Sequence, residues 1–241
     1  MWSIRNAGSK ARIRELENVL DSVAAPMFVT DADLKVTRIN DAALAATGYS
    51  RDEVVGKMAC SELSKTPLCD TENCTIKNCM RTRKPIFGET VMETRDGTKV
   101  PIQAACSAVF DELGRPMGGM EVILDQTEQK DTLREVQRLI EATQAGNLQE
   151  RTEVGDTQGD YKALREGINQ MLDGIVGPIT EARKVLSAAA SQDLTDRVSG
   201  EYKGEFAELK ESINSAVANL DQALSQVGAA SDQVSSAAGQ I

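Results

Sequence analysis

The sequence of 241 residues contains no histidine. This absence excludes Ser–His and Cys–His nucleophile pairs, histidine-ligated zinc and histidine-ligated haem. General acid–base chemistry then falls to carboxylates, and no pair of carboxylates stands out in the sequence for that work. We therefore expect that the protein is not an enzyme.

Aromatic residues and long apolar stretches are also scarce. Aromatics make up 3% of the chain, and with plentiful Ala, Leu, Glu, Gln and Ser this predicts much helical coiled coil. The sequence has no uninterrupted run of about 18 apolar residues, so we predict no transmembrane helix in it. Residues 1–14 lack the features of a signal peptide. The formal net charge of −10 argues against a nucleic-acid partner. We expect a cytoplasmic protein, either soluble or the cytoplasmic part of a membrane receptor.

The composition changes near residue 128, because all five cysteines precede it and long helical patterns follow it. The first part has the strand and turn patterns of an α+β fold. We predict a helix at 9–24, a strand hairpin at 26–30 and 36–40, a short helix at 41–48, and strands at 86–95, 99–110 and 117–125. These elements predict a five-stranded antiparallel sheet with helices on one side.

Several short motifs in this part have the order and spacing of a known family. They are Leu20-Asp21-Ser22-Val23, Phe28-Val29-Thr30-Asp31, Ile39-Asn40-Asp41-Ala42-Ala43, Thr47-Gly48-Tyr49-Ser50, Asp96-Gly97 and Gly118-Gly119. The region resembles a PAS domain, which we place at residues 15–128. The resemblance implies a sensor with a ligand pocket, and the family includes binders of haem, flavin and small molecules.

The second part contains an internal repeat. Gly159–Glu166 aligns with Gly204–Glu211 at an offset of 45 residues, and Asn147–Arg151 aligns with Asp193–Arg197 at an offset of 46. Each unit reads as a helix, a connector and a helix. Their apolar positions alternate at spacings of three and four up to Ile241, and a two-helix unit cannot bury such a seam alone. This predicts a homodimer that forms parallel four-helix coiled-coil bundles.

The repeated units resemble HAMP domains. Pro178 with Glu181 matches the start of the first HAMP helix, Leu194 and Val198 match apolar connector positions, and Glu205 matches the acidic position that opens the second helix. The first unit departs from this pattern, because Thr132 replaces the proline and its connector is longer around residues 152–158. Proline within a helix also predicts a bend or break at Pro178.

The domain boundaries follow from these resemblances. We predict a lead helix at 1–14, the PAS domain at 15–128, a divergent HAMP-like domain at 129–177, a HAMP domain at 178–225 and a signalling helix that starts at 226–241. Residues 226–241 resemble the start of the cytoplasmic hairpin of methyl-accepting chemotaxis proteins. The resemblance implies a chemotaxis histidine kinase and its adaptor as partners, reached through a missing C-terminal part. A histidine kinase or a cyclic-nucleotide enzyme is the alternative output.

The cysteines are the residues with the clearest chemical potential. Cys60, Cys69, Cys74 and Cys79 fall within twenty residues and suit an iron–sulfur cluster or a zinc ion. Disulfides, a thiol redox switch and inert core thiols are the alternatives, since the C-x2-C pairs of a zinc ribbon are absent. Cys106 lies on the apolar face of a strand, either as a core residue or as a fifth thiol that faces the pocket.

A last set of residues suits signal coupling. Asp125 and Thr127 resemble the Asp-x-Thr junction between a PAS sheet and its output helix, and Pro178 lies between the two repeats. Asp160 and Glu205 suit either signalling or the stabilisation of a helix N-terminus. The PAS domain would sense a ligand, redox state or metal centre and pass this signal through the HAMP helices. A coiled-coil scaffold that binds structural zinc is the alternative of another class.

Overall fold

A computed structural model of the chain describes residues 2–238 and the side chains of residues 12–238. Ile241, the last position of the apolar seam, lies outside the described residues, as does Met1. The chain divides into two compact units, Met1–Leu133 and Arg134–Ile241. The division falls close to the change of composition at residue 128.

The first unit is built on a five-stranded antiparallel sheet with the strand order β2-β1-β5-β4-β3. The strands are β1 (Met27–Thr30), β2 (Val36–Ile39), β3 (Ile86–Glu93), β4 (Lys99–Phe110) and β5 (Pro116–Asp125). Alternate residues of β4 are buried on one face, at Ile102, Ala104 and Cys106, as the period of two in a strand requires. The predicted sheet is confirmed.

Five helices accompany the sheet. They are α1 (Trp2–Asp21), α2 (Asp41–Thr47), α3 (Arg51–Val54), α4 (Cys60–Ser64) and α5 (Thr75–Thr82). α1 runs without a break through residues 14 and 15, where we predicted a domain boundary. α5 covers the inner face of β4 and β5, and it packs so closely that a Cβ atom at Gly119 would lie 2.6 Å from Ile76 Cγ2. Glycine at this position therefore allows the helix to approach the sheet.

The buried side chain of Asn40 joins the segment that follows α1 to the sheet. Its oxygen accepts hydrogen bonds from the backbone N–H groups of Met27 and Ala43, at 2.9 and 3.0 Å. Its nitrogen donates to the carbonyls of Val23 and Ala25, at 3.0 and 2.9 Å. Asn40 also caps the N-terminus of α2. A polar side chain can be buried here because its hydrogen-bonding groups find partners.

The second unit is helical and contains most of α6 (Thr127–Gln144), all of α7 (Gly159–Ala190) and the described residues of α8 (Glu205–Ala238). Within this unit, the arrangement of a helix, a connector and a helix occurs twice. α7 is the second helix of the first repeat and the first helix of the second repeat. The apolar core around the second connector contains Ala182, Val185, Val198, Ile213 and Val217. Among the described residues, no helix combines the length and the apolar character needed to cross a membrane.

α7 continues through Pro178 without a break, so of the predicted bend or break the break is wrong. Proline removes one backbone hydrogen bond from a helix and its ring crowds the preceding turn. Leu172 and Val176 are buried before Pro178, and Ala182 and Val185 are buried after it. This burial on both sides offsets the local cost of the proline and keeps α7 as one helix.

Candidate functional site

A small cavity lies between the cysteine-containing segment and the inner face of the sheet. Cys60, Cys69 and Cys74 line it together with Glu121 of β5. The other lining residues are Ser64, Thr66, Leu68, Thr75, Ile76, Thr90 and Ala104. Its volume is about 20 Å³, which is room for about one water molecule or one ion. A haem or flavin does not fit this volume.

The cysteines occupy defined positions around this cavity. Cys60 is the first residue of α4 and Cys74 immediately precedes α5, and both are buried. Cys69 is half-buried, with its Sγ 3.4 Å from Thr66 Oγ1. The cysteine-containing segment starts and ends with helices, and a loop at residues 65–74 joins them.

Cys79 and Cys106 do not line the cavity. Cys79 lies in α5, fully buried, and its thiol donates to the Ile76 carbonyl at 3.1 Å. Cys106 lies on the inner face of β4 and is 1% exposed. All five cysteines are free thiols. Within the described part of the chain, no three cysteine or carboxylate side chains are arranged to hold one metal ion, so the metal assignment stays a prediction.

Glu121 is the residue of this cavity that the sequence analysis missed. It is only 5% exposed, and its Oε2 accepts hydrogen bonds from Cys106 Sγ at 3.1 Å and from Thr75 Oγ1 at 3.5 Å. Burial raises the pKa of this carboxyl, because a charge is poorly solvated in the interior. The available signal was the alternation of β5, which places Glu121 on the same face as Gly119 and Ile123.

The same environment lowers the reactivity of three of the five thiols, Cys60, Cys79 and Cys106. Burial raises the pKa of Cys60 to about 12, and negative charge at Glu121, Cys74 and Cys69 adds to the effect. Burial, followed by the proximity of Glu121, also raises the pKa of Cys106, and burial raises the pKa of Cys79. A thiol reacts as its thiolate. Cys60, Cys79 and Cys106 are therefore protonated and weakly nucleophilic at neutral pH.

The strand that carries Glu121 leads directly to α6. Asp125 is the last residue of β5, and its Oδ1 accepts a hydrogen bond from the Thr127 N–H at 2.7 Å. The Gln126 N–H donates to the Pro101 carbonyl at 2.9 Å, and Lys130 forms an ion pair with Glu89 at 2.7 Å. The first turn of α6 is thus attached to the sheet by a cap and by contacts with β4 and β3.

Each of the two connectors of the helical unit is held by an asparagine side chain that forms two hydrogen bonds with its backbone. The Asn169 side chain accepts from the Thr152 N–H at 2.8 Å and donates to the Thr152 carbonyl at 3.0 Å. Asn214 makes the same two contacts with Val198, at 2.9 and 3.0 Å. The first connector is one residue longer than the second, as the offsets of 46 and 45 residues show. This difference in length leaves the two asparagine–backbone hydrogen bonds unchanged.

Charged side chains hold both connectors as well. Arg165 donates to the Glu153 carbonyl at 2.7 Å, and Lys210 donates to the equivalent Ser199 carbonyl at 3.1 Å. Glu181 accepts from the Ser199 N–H at 2.8 Å. At the matching position of the first connector, the hydrogen bond from Arg138 lowers the pKa of Glu135, and the backbone of Glu153 contributes to the same effect. The repeat in sequence is thus also a repeat of contacts.

The second connector has a further contact with α7, made by the side chain of Tyr202. Tyr202 Oη donates to Glu181 at 2.5 Å. The hydrogen bond from Tyr202, followed by those from Ser199, lowers the pKa of Glu181 to about 2. The carboxylate of Glu181, which lies within α7, is therefore held in its charged form against the connector.

Comparison with known families agrees with both parts of the fold. The family model of the PAS fold matches residues 14–125, and the family model of the HAMP domain matches residues 156–222. The first unit thus matches the PAS fold, and part of the second unit matches the HAMP domain. The PAS domain includes the cavity with Cys60 and Glu121, and the HAMP match includes the second connector with Glu181 and Tyr202.

The chain is similar to the methyl-accepting chemotaxis protein McpB of Pseudomonas aeruginosa. The two are 24% identical over 238 residues, which cover 97% of this chain and 34% of McpB. The chain thus spans about a third of the length of that receptor. The crystal structure of the PAS domain of an HTR-like protein from Haloarcula marismortui is 19% identical, with a TM-score of 0.41, over 51% of this chain and 98% of that domain. The crystal structure of a PAS domain from Colwellia psychrerythraea is 21% identical, with a TM-score of 0.41, over 47% of this chain and 95% of that domain.

Two other residues that we predicted to act in signal coupling lie at the N-termini of α7 and α8. Asp160 is in the first turn of α7 and Glu205 is in the first turn of α8. Acidic residues at these positions stabilise the positive end of a helix dipole. Their role in signalling stays a prediction.

Proposed function

We propose that this chain is the sensing and relay part of a signal-transduction receptor and has no catalytic role. A PAS domain followed by a HAMP domain supports this function. The observation that carries the proposal is the course of β5, because this strand contributes Glu121 to the thiol-lined cavity and ends at Asp125, which caps α6. A change at the cavity has a short covalent path to the helix that leads to the HAMP domain.

The proposed input is a redox change or a metal ion at the cysteines around the cavity. Three thiols line one cavity of about 20 Å³, which favours a small stimulus over a large cofactor. Movement of β5 would then alter the cap at Asp125 and the packing of α6. Two-state helical packing is a common way of transmitting such a shift. Asp125, Thr127, Pro178, Asp160 and Glu205 are the proposed coupling residues.

We propose that residues 129–177 form a divergent HAMP domain and residues 178–225 a second one. The equivalent contacts of Asn169 and Asn214 with the two connectors support this division. We also propose a homodimer, in which the HAMP helices form parallel four-helix bundles. Leu164, Met171 and Leu220 are 49%, 57% and 53% exposed, and a second copy would cover these positions of the apolar seam.

The proposed output is the control of a chemotaxis histidine kinase through its adaptor. The similarity to McpB across 97% of this chain favours this output over a histidine kinase or a cyclic-nucleotide enzyme. The kinase-control part would be supplied by a segment that follows this chain in the receptor. We propose that the sensing and relay parts act in the cytoplasm.

A hybrid receptor tests this function. The chain is joined in helical register to the signalling hairpin of a chemoreceptor, and kinase activity is measured with the adaptor before and after reduction, oxidation or metal addition. The proposal expects a change in kinase activity that Cys60→Ser with Cys74→Ser abolishes and Asp125→Ala weakens. Glu112→Gln, on the exposed β4–β5 turn, is the control and should respond as the parent does. A hybrid that is insensitive to all three treatments contradicts the proposal.

The zinc-binding scaffold is tested with the same material. Stoichiometric zinc that survives both oxidation and reduction, in a hybrid whose kinase activity stays constant, would favour the scaffold. Loss or gain of metal with a parallel change in kinase activity favours the sensor.

A further inference from the structure

Glu121 is a buried carboxyl group whose described contacts provide no positive charge. It contacts Cys106 and Thr75, and the ion pairs found among residues 12–238 do not include it. Burial of a carboxyl without a cation is costly, so such a group either keeps its proton or finds a cation. The cavity beside Glu121 is of ionic size and is lined by sulfur.

We propose that this cavity binds one soft divalent cation of the zinc class, with Glu121 as an oxygen ligand beside Cys60, Cys69 and Cys74. This inference rests on the proposed sensing function and names its ligand. Three sulfur atoms and one carboxylate oxygen are a donor set for a tetrahedral ion of this class. Cys79 and Cys106 stay outside the set, because neither lines the cavity.

The donor set also determines which ions are rejected. Magnesium and calcium require several oxygen ligands, and this cavity offers one carboxylate among thiols. Each thiol that becomes a ligand gives up its proton to solvent, and so does the carboxyl of Glu121 if it is protonated. Binding of M²⁺ to three thiols and this acid therefore releases up to four protons. No electron transfer is involved.

Binding at this cavity requires a rearrangement. In the described part of the chain the donors are not in place around a common centre, although Cys60, Cys69 and Cys74 share the cavity. Cys69 lies in the loop between α4 and α5, whereas Glu121 is fixed in the centre of the sheet. The loop must therefore close towards β5. A ligand shifts a conformational equilibrium when it binds one state more tightly, and a site completed only by the ion meets that condition.

The test uses the full chain, reduced and free of metal, under anaerobic conditions. Co²⁺ is titrated first, because thiolate coordination gives charge-transfer and visible bands, and Zn²⁺ is then added to displace it. We expect one ion per chain and proton release on binding. Glu121→Gln should weaken Zn²⁺ binding by at least about tenfold, since even the loss of a group that only supports a ligand has an effect of this size, and it should decrease the proton release. Glu112→Gln should change neither quantity.

Cysteine variants identify the sulfur ligands. Cys60→Ala and Cys74→Ala should remove most of the thiolate bands, whereas Cys79→Ala should keep them. Circular dichroism and thermal unfolding of each metal-free variant report whether the fold is kept. If Glu121→Gln does not fold, Glu121→Asp retains the charge, and its shorter side chain should still weaken Zn²⁺ binding while preserving proton release.

The outcomes separate this inference from the proposed function. Thiol-dependent binding that is equally tight in Glu121→Gln overturns the role of Glu121 and leaves metal sensing intact. No binding of Co²⁺ or Zn²⁺ by the full chain overturns the cation site, while an oxidant-dependent kinase response of the hybrid still supports a thiol sensor. A hybrid that fails to respond overturns the proposed function even where the cation binds.

Discussion

The side-chain amide of Asn214 forms hydrogen bonds with both the backbone N–H and the backbone carbonyl of Val198. The side-chain oxygen of Asn214 accepts a hydrogen bond from the Val198 N–H at 2.9 Å, and its side-chain nitrogen donates to the Val198 carbonyl at 3.0 Å. The side chain of Val198 is 3% exposed and belongs to the apolar core of the second connector. Asn214 therefore fixes the point at which the connector enters the core.

Removal of this amide should destabilise the helical unit. We expect Asn214→Ala to lower the free energy of unfolding by about 1–3 kcal/mol, because two backbone groups lose their partner. Asn169→Ala should have an effect of similar size, since Asn169 makes the same pair of contacts with Thr152. Urea unfolding of the full chain measures both. Asn219→Ala, at an exposed position of α8, should be near neutral, and an equal loss in that control would contradict the prediction.

The stability of the second connector should depend on pH through Glu181. Hydrogen bonds from Tyr202 and then Ser199 lower its pKa from 4.5 to about 2. A lowered carboxyl pKa contributes stability above the unfolded value, and this contribution is lost as the pH falls from about 4.5 towards 2. Glu181→Gln should thus be less stable than the parent at pH 7, and the difference should shrink across that interval.

Denaturant unfolding of both proteins from pH 7 to pH 2 checks this expectation. Glu211→Gln, at an exposed position of α8, is the matched control and should follow the parent over the whole range. A difference between Glu181→Gln and the parent that stays constant with pH would show that the charge of Glu181 does not contribute.

The cap of α6 gives a prediction about the junction of the PAS domain. Asp125→Ala removes the acceptor for the Thr127 N–H and should cost about 1 kcal/mol, whereas Asp125→Asn keeps an acceptor and should cost little. Hydrogen exchange of the first turn of α6 should accelerate in the alanine variant alone. Equal exchange in the two variants would mean that the cap does not hold this turn.

The thiols should differ in their rates of alkylation. Cys69 is half-buried, whereas Cys60, Cys79 and Cys106 are at most 5% exposed, and burial raises the pKa of each of these three thiols. With iodoacetamide at neutral pH, we expect modification of Cys69 first and at least about tenfold slower modification of the other three. Mass spectrometry of peptides follows the order, and the differences should vanish in denaturant. Early modification of Cys106 would contradict the arrangement of the inner face.

The strands were predictable from the sequence because alternation and turn residues agree along β3, β4 and β5. The helices α4 and α5 were not, since they are only five and eight residues long. Glu121 was missed for a related reason, because a carboxylate in a strand is normally assigned to the solvent face. The alternation of β5 places Glu121 on the face of Gly119 and Ile123, and the contacts with Cys106 and Thr75 show that the carboxyl group is accommodated there.

In the helical part, the sequence repeat predicted the two connectors, and the equivalent contacts of Asn169 and Asn214 follow that repeat. Of the bend or break predicted at Pro178, the break was wrong, because that prediction considered the local effect of proline and not the packing along the whole helix. Leu172 and Val185, buried on either side of the proline, were assigned to separate units in the sequence analysis. The structure places them on one helix, where their burial acts together.

The continuity of α7 has a geometric consequence. An α-helix turns by about 100° for each residue, so the number of residues between Asn169 and Glu181 fixes the angle between the faces that meet the two connectors. Insertion of one residue into this stretch would turn one face by about 100° relative to the other, whereas insertion of seven would leave the faces within about 20° of their original directions. The length of the shared helix, counted in residues, therefore sets the rotational phase between the two connectors.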